Sequence, residues 1–211
     1  MKHIKNIIFD LGVVLINLDY SLTVEGFHKL GVPDFSQNYS YQKQQLLFDN
    51  FEMGLLSPSQ FCDEIRKLTG LHLSDEQIIY AWNLMLLDFP EKRVNLLKAL
   101  KDKYRLFLLS NTNQIHMEAF TKDLLGQYGF DIFKELFEKA YFSSEMGLRK
   151  PDIRIFEYVL NAHNLKPEET LFIDDLEANI RAAEQTGIEG LLLEPGQDVV
   201  HLLKELVTSE S

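Results

Sequence analysis

Ile7-Ile8-Phe9-Asp10-Leu11-Gly12-Val13-Val14 sets a carboxylate at the end of an apolar run and a glycine two residues beyond it. The run from Ile4 to Leu11 has the length and side chains of a buried strand. An aspartate at its end carries a charge that is costly there unless a partner holds it. The stretch therefore reads as the first strand of a sheet that delivers Asp10 to one edge, as a nucleophile or a metal ligand. Taken alone, it reads equally well as an aspartate capping a turn.

Four more runs of this kind follow: Arg105–Ser110, Lys139–Phe142, Thr170–Asp174 and Gly190–Leu193. Helical patterns of ordinary length separate them. The alternation predicts an α/β fold, a Rossmann-like parallel sheet core of about five strands with helices on both faces. The first gap differs, because between Ile16 and Tyr104 the sequence reads as four or five helices. Ser57-Pro58-Ser59-Gln60 combines a cap, a proline at the first helical position and a capping-box glutamine. Gly70 ends that helix, and Ser74-Asp75-Glu76-Gln77 opens the next one in the same way. The expectation is a core of residues 1–16 and 91–211 and an all-helical cap, 17–90, inserted after the first strand, where a lid over an active site would lie.

Composition narrows the function. The chain has 211 residues, 45% of them apolar and 25% charged, with a formal charge of −11. Such a surface repels nucleic-acid backbones and anionic membranes, so neither is an expected partner. An anionic ligand has to be attracted locally, by a metal ion or a few placed cations. Cys62 stands alone, which suits a reducing compartment and excludes an internal disulfide. Asp10 interrupts the N-terminal apolar run, and no run reaches the roughly 18 residues of a membrane span. The expected location is the cytoplasm, as a monomer or weak homodimer.

In open parallel sheets, ligands bind beyond the carboxyl ends of the strands. Strand two ends in Ser110-Asn111-Thr112-Asn113, whose side chains and following helix N-terminus suit an anion. After strand three comes Arg149-Lys150-Pro151, with Lys150 in the extended stretch that a following proline favours. Strand four ends in Asp174-Asp175-Leu176-Glu177-Ala178-Asn179. Adjacent acids there repel one another and are best explained by a hard cation such as Mg²⁺. Each feature alone has a plainer reading as a capped helix or a surface lysine. Together they bring polar chemistry from four places to one sheet edge.

On Asp10-Leu11-Gly12-Val13-Val14, Ser110-Asn111, Lys150-Pro151 and Asp174-Asp175 with Asn179, nearly the whole chain resembles the haloacid dehalogenase-like superfamily. The similarity is to the branch of phosphatases with a helical cap, including bacterial glucose-1-phosphate phosphatases. The resemblance implies a Mg²⁺-dependent phosphatase acting on a small phosphorylated metabolite, a sugar phosphate by preference, through an aspartyl-phosphate. Asp10, Lys150 and Asp174 would be catalytic. Ser110, the Asn111 backbone N–H and Lys150 would hold the phosphoryl oxygens. Asp10, the Gly12 carbonyl and Asp175 would hold the metal.

Gly12 departs from the pattern. Most phosphatases of the superfamily carry there a second aspartate that protonates the leaving group and later activates water. General acid–base catalysis is worth about 10²–10⁴-fold. Asp19 is the first expected substitute, with Asp49 and Glu52 behind it; a good leaving group is the second way around the loss. A dehalogenase-type hydrolase, a phosphotransferase and a non-catalytic ligand-binding protein are the rival readings. Phe51, Trp82 and Met85 read as helix packing, and His116 and His163 show no pattern of ligation.

Overall fold

The computed structural model describes residues 3–32 and 41–208, with side chains from 46 onward in the second stretch. Residues 33–40 of the expected helical cap, and the two chain ends, lie outside the described residues. In chain order the first strand is β1 (Asn6–Phe9). Five helices follow: α1 (Tyr20–Lys29), α2 (Tyr41–Glu52), α3 (Pro58–Thr69), α4 (Asp75–Asn83) and α5 (Glu91–Lys101). Next are β2 (Arg105–Ser110), α6 (Gln114–Tyr128), α7 (Ile132–Glu135), β3 (Lys139–Phe142), α8 (Ser143–Met146) and α9 (Ile153–His163). The chain ends with β4 (Thr170–Asp174), α10 (Glu177–Glu184), β5 (Glu189–Leu192), α11 (Val199–Leu202) and α12 (Lys204–Thr208).

The five strands pair in parallel in the order β3-β2-β1-β4-β5. Connections run to one side of β1 and then reverse, so the switch in direction lies between β1 and β4. Phe9 pairs with Leu108 on one side and with Ile173 on the other. The carboxyl ends of β1, β2 and β4 are therefore level, and the residues just beyond them share one edge. Three strands have the bounds their sequence predicts. β1 is shorter than Ile4–Leu11, although the Asp10 N–H still donates to Ile173 (2.9 Å). β5 lies one residue earlier than predicted.

Alternate side chains of each strand feed two cores. Ile7, Phe9, Leu106, Leu108, Leu171 and Ile173 pack with α5, α6, α7, α11 and α12 on one face. Ile8, Phe107, Leu109 and Phe172 pack with α9 and α10 on the other. Burial on both faces explains why these strands are apolar throughout.

Helices α1, α3 and α4, with the last turns of α2, form a third apolar cluster around Phe27, Phe51, Phe61, Ile65, Ile78 and Trp82. Ser57 and Ser74 each form a full capping box, with Gln60 and Gln77, and Gly70 closes α3 in the left-handed conformation. Cys62 lies in this cluster, where burial pushes its thiol up to about 11. That is a packing residue rather than a nucleophile. Two strands of backbone join the helical unit to the sheet and bond to each other. The Asn17 N–H donates to Asp88 (2.8 Å), Leu87 to Asn17 (3.0 Å) and Asp19 to Met85 (2.9 Å). Buried Arg93 braces this crossing by donating to Asn17 Oδ1 (3.0 Å) and to Asp198 (3.3 Å). Among the described residues, no helix is long and apolar enough to cross a membrane.

Candidate active site

The strand-end residues meet around one buried lysine. Lys150 is 1% exposed. Its Nζ donates to Asp10 Oδ1 at 2.7 Å and to Asp174 Oδ2 at 2.6 Å. Burial alone would pull the ammonium down, but the two carboxylates outweigh that and hold Lys150 above its usual range. Burial pushes Asp10 up to about 7, and the charge of Asp174 adds to this while Lys150 opposes it. Asp174 is held from three sides. The Asn179 amide donates to both of its oxygens at 3.0 Å, and the Leu176 N–H donates to Oδ1 at 2.8 Å. The sequence alone assigns Asn179 no role. Its spacing, five residues after Asp174 and inside α10, is the signal that returns an amide to the strand end.

Asp10, Asp174 and Asp175 each offer an oxygen, all within 4.8 Å of one another. Burial and the neighbouring Asp174 push Asp175 up, and it makes no ion pair among the described residues. Three carboxylates against one ammonium leave an excess of two negative charges in hard oxygen donors, a set that fits a divalent cation such as Mg²⁺. The Gly12 carbonyl lies in the adjacent turn, where it accepts the Val14 N–H at 2.5 Å and keeps a second lone pair. Val13 between them has φ 61. A β-branched residue in that region is strained, which is typical of backbone fixed at a site.

Ser110 ends β2, and its buried hydroxyl has only a 3.5 Å contact with the Asn111 carbonyl. The Asn111 N–H has no partner among the described residues, so both remain available to an anion. The Asn111 side chain is otherwise engaged. It donates to the Lys150 carbonyl and accepts the Lys150 N–H, both at 2.8 Å.

Above this floor is a cavity of about 430 Å³. Gly12, Ser110, Asn111 and Thr112 border it below; Tyr20, Glu52 and Trp82 are among the residues from the helical unit. A larger cleft of about 740 Å³ runs along the outer edge of β3, but none of the residues just described lines it.

The three acid candidates differ in where they lie. Asp19 caps α1, accepting the Ser21 N–H and hydroxyl, and these bonds hold its carboxyl below the usual range. Asp49 pairs with Arg149 at 2.9 Å and is not among the cavity's lining residues. Glu52 lines the cavity. Tyr20, which no motif signalled, lines it too. Phe51, Trp82 and Met85 are core residues of the helical unit, as expected, although Trp82 and Met85 also touch the cavity. His116 is buried with both ring nitrogens engaged, by Asn113 Nδ2 (3.1 Å) and the Trp82 carbonyl (3.1 Å), so it is no ligand.

A family model described as haloacid dehalogenase-like hydrolase matches residues 4–187. D-ribitol-5-phosphate phosphatase of Bacteroides thetaiotaomicron is 31% identical over 195 residues, 92% of this chain and 94% of that protein. The crystal structure of a HAD family enzyme from the same organism, in complex with magnesium and inorganic phosphate, superposes with a TM-score of 0.86. It has 41% identity and covers 94% of this chain and 98% of its own. A predicted HAD-like family hydrolase from Porphyromonas gingivalis gives a TM-score of 0.88 at 32% identity, over 99% of this chain and 100% of its own.

Proposed function

The chain belongs to the haloacid dehalogenase-like hydrolase family, and from that premise we propose that it uses Asp10 to hydrolyse a small phosphorylated sugar or polyol. It is a phosphoric monoester hydrolase with Mg²⁺ as cofactor. The observation that carries the reading is the three-carboxylate cluster at the switch in strand order, with Lys150 buried between two of its members. A carbon–halogen hydrolase has no use for the third carboxylate, and a protein that only binds ligands has no use for a buried nucleophile.

In this reading a carboxylate oxygen of Asp10 bonds to phosphorus as the ester oxygen departs, and water then cleaves the aspartyl-phosphate. Lys150, the Ser110 hydroxyl and the Asn111 N–H bind the phosphoryl oxygens. Asp174 holds the lysine ammonium in place, and Asn179 holds Asp174. Asp10, Asp175 and the Gly12 carbonyl would hold Mg²⁺, which supplies charge neutralisation for an anion approaching anions. Positioning and electrostatics supply most of the rate in phosphoryl transfer, so fixed side chains matter more than reactive ones.

We read residues 17–90 as the cap and 1–16 with 91–211 as the core, the crossing at Asn17 and Asp88 being the hinge. The cavity between them, at about 430 Å³, is in the range of small-metabolite sites. The kinship with a pentitol-phosphate phosphatase supports a sugar or polyol phosphate as the substrate class.

The test is phosphate release from a panel of small phosphomonoesters, with and without Mg²⁺, for the natural protein and Asp10→Asn. Metal-dependent release that disappears in the variant is expected. A folded, magnesium-binding protein that releases no phosphate from any ester would sink the reading.

A further inference from the structure

We infer that Glu52 is the general acid and base of the reaction, supplying from the cap the proton that Gly12 cannot. The inference rests on the phosphatase reading above and deepens it.

Among the described residues, the ionisable side chains lining the cavity, which Gly12, Ser110 and Asn111 border on the side of the sheet, are Tyr20, Glu52 and His116. His116 is held neutral, its pKa driven down to about 4 by burial, and it has no free nitrogen. The Tyr20 hydroxyl bonds to no described group, and although much of the residue is exposed, desolvation at the phenol, then the charges of Asp175 and Asp10, hold its pKa up at about 12. Such a phenol can give a proton to an alkoxide, but near neutrality it does not ionise to take one from water. The reaction needs both halves.

Glu52 is better placed in three respects. It is anchored at the point where the helical unit meets α8 and the loop after it that carries Lys150. Ser143 Oγ donates to the Glu52 carbonyl at 2.6 Å, and Arg149, adjacent to Lys150 in the chain, donates from Nη2 (2.9 Å) and Nε (3.1 Å) to Oε2. Both guanidinium bonds go to that one oxygen, so Oε1 keeps a free valence. Burial raises the carboxyl above its usual range while Arg149 restrains the rise, with Asp49 and Lys150 as the other charged neighbours. That places it nearer the working pH, where a proton donor and acceptor is most effective.

The steps balance as follows. The Asp10 oxygen forms its bond to phosphorus while the ester P–O bond breaks, and the Glu52 carboxyl gives its proton to the departing oxygen. The resulting carboxylate takes a proton from water as the water oxygen bonds to phosphorus. The Asp10–phosphorus bond breaks, releasing phosphate and restoring the Asp10 carboxylate and the protonated Glu52.

The experiment compares kcat/KM for an alkyl phosphate and for nitrophenyl phosphate in the natural protein, Glu52→Gln and Tyr20→Phe. kcat/KM covers steps up to loss of the alcohol, and nitrophenolate leaves without needing a proton. Glutamine keeps an acceptor for Arg149, so a purely structural role is preserved. The expected result is a fall of about 100-fold or more on the alkyl ester in Glu52→Gln, with nitrophenyl phosphate little changed and Tyr20→Phe near the natural protein on both. Equal loss on both esters in Glu52→Gln, no loss on either, or a leaving-group-dependent loss in Tyr20→Phe instead would each overturn the assignment while leaving the phosphatase reading intact. A natural protein that cleaves neither ester overturns that reading, and this inference with it.

Discussion

The side chain of Asn111 and the backbone of Lys150 close a ring of two hydrogen bonds, each 2.8 Å long. The amide takes up both backbone polar groups of the catalytic lysine, its N–H and its carbonyl. Lys150 follows a loop and precedes a proline, so it has no helix or strand to fix it. Asn111→Ala removes both bonds while leaving the Asn111 N–H in place. The expected outcome is a kcat loss of about 10–100-fold, the scale seen for groups that orient ligands from behind, with a smaller change in KM. Steady-state kinetics on the preferred ester checks this. Asn111→Asp accepts the Lys150 N–H but repels its carbonyl, and is expected to do worse than alanine.

Lys150 itself tests how the site is balanced. Lys150→Met keeps the stem's volume and removes the charge between Asp10 and Asp174. Uncompensated buried charge costs about 3–5 kcal/mol. Urea unfolding at neutral pH without metal should show a loss of that order, and adding Mg²⁺ should recover part of it in the variant. An unchanged unfolding midpoint would mean that the lysine does not neutralise the carboxylates.

The sheet was legible because its strands are buried on both faces and so read as unbroken apolar runs, three of them to the residue. The acids and the lysine were legible for the same reason, as polar residues set against those runs. The caps at Ser57 and Ser74 follow from local hydrogen bonding alone, and the structure keeps them. What could not be read were relations across the chain. Asp19 looked like a spare acid near the nucleophile, but a local signal, Ser21 two residues on, explains its capping role better. Glu52 gained its place through Arg149 and Ser143, ninety or more residues away, and no spacing announces such a contact. Asn111 looked like a phosphate ligand and is also the clamp on Lys150.

Gly54 shows how closely the helical unit approaches α8, the short helix before the loop that carries Lys150. Its φ is 69°, and a Cβ there would lie 2.1 Å from the Ser144 carbonyl oxygen. That obstacle is backbone and cannot swing aside. Gly54→Ala therefore combines a left-handed alanine, which costs about 1–2 kcal/mol, with a displacement of the end of α2. Thermal unfolding should show a lower midpoint. Activity should fall by more than the change in folded fraction, because Glu52 is two residues from the clash. A variant with lower stability and natural kcat/KM would separate this contact from the chemistry.

His116 ties α6 to the helical unit and makes stability depend on acid. Its ring stacks on Trp82 at 5.1 Å, and its Nδ1 faces the Asn113 amide, which donates, so Nε2 carries the proton to the Trp82 carbonyl. Burial lowers its pKa to about 4 from 6.5. As pH falls through 6.5 the unfolded chain takes up a proton at this histidine, and the folded protein does not until near 4. Unfolding therefore becomes more favourable across that window, by as much as about 3 kcal/mol at its acid end. The contribution is fully present above pH 6.5. Unfolding midpoints measured from pH 7 to 4 should fall more steeply for the natural protein than for His116→Gln, which cannot take up the proton. Parallel curves would show that the acid sensitivity comes from the carboxylates and not from this ring.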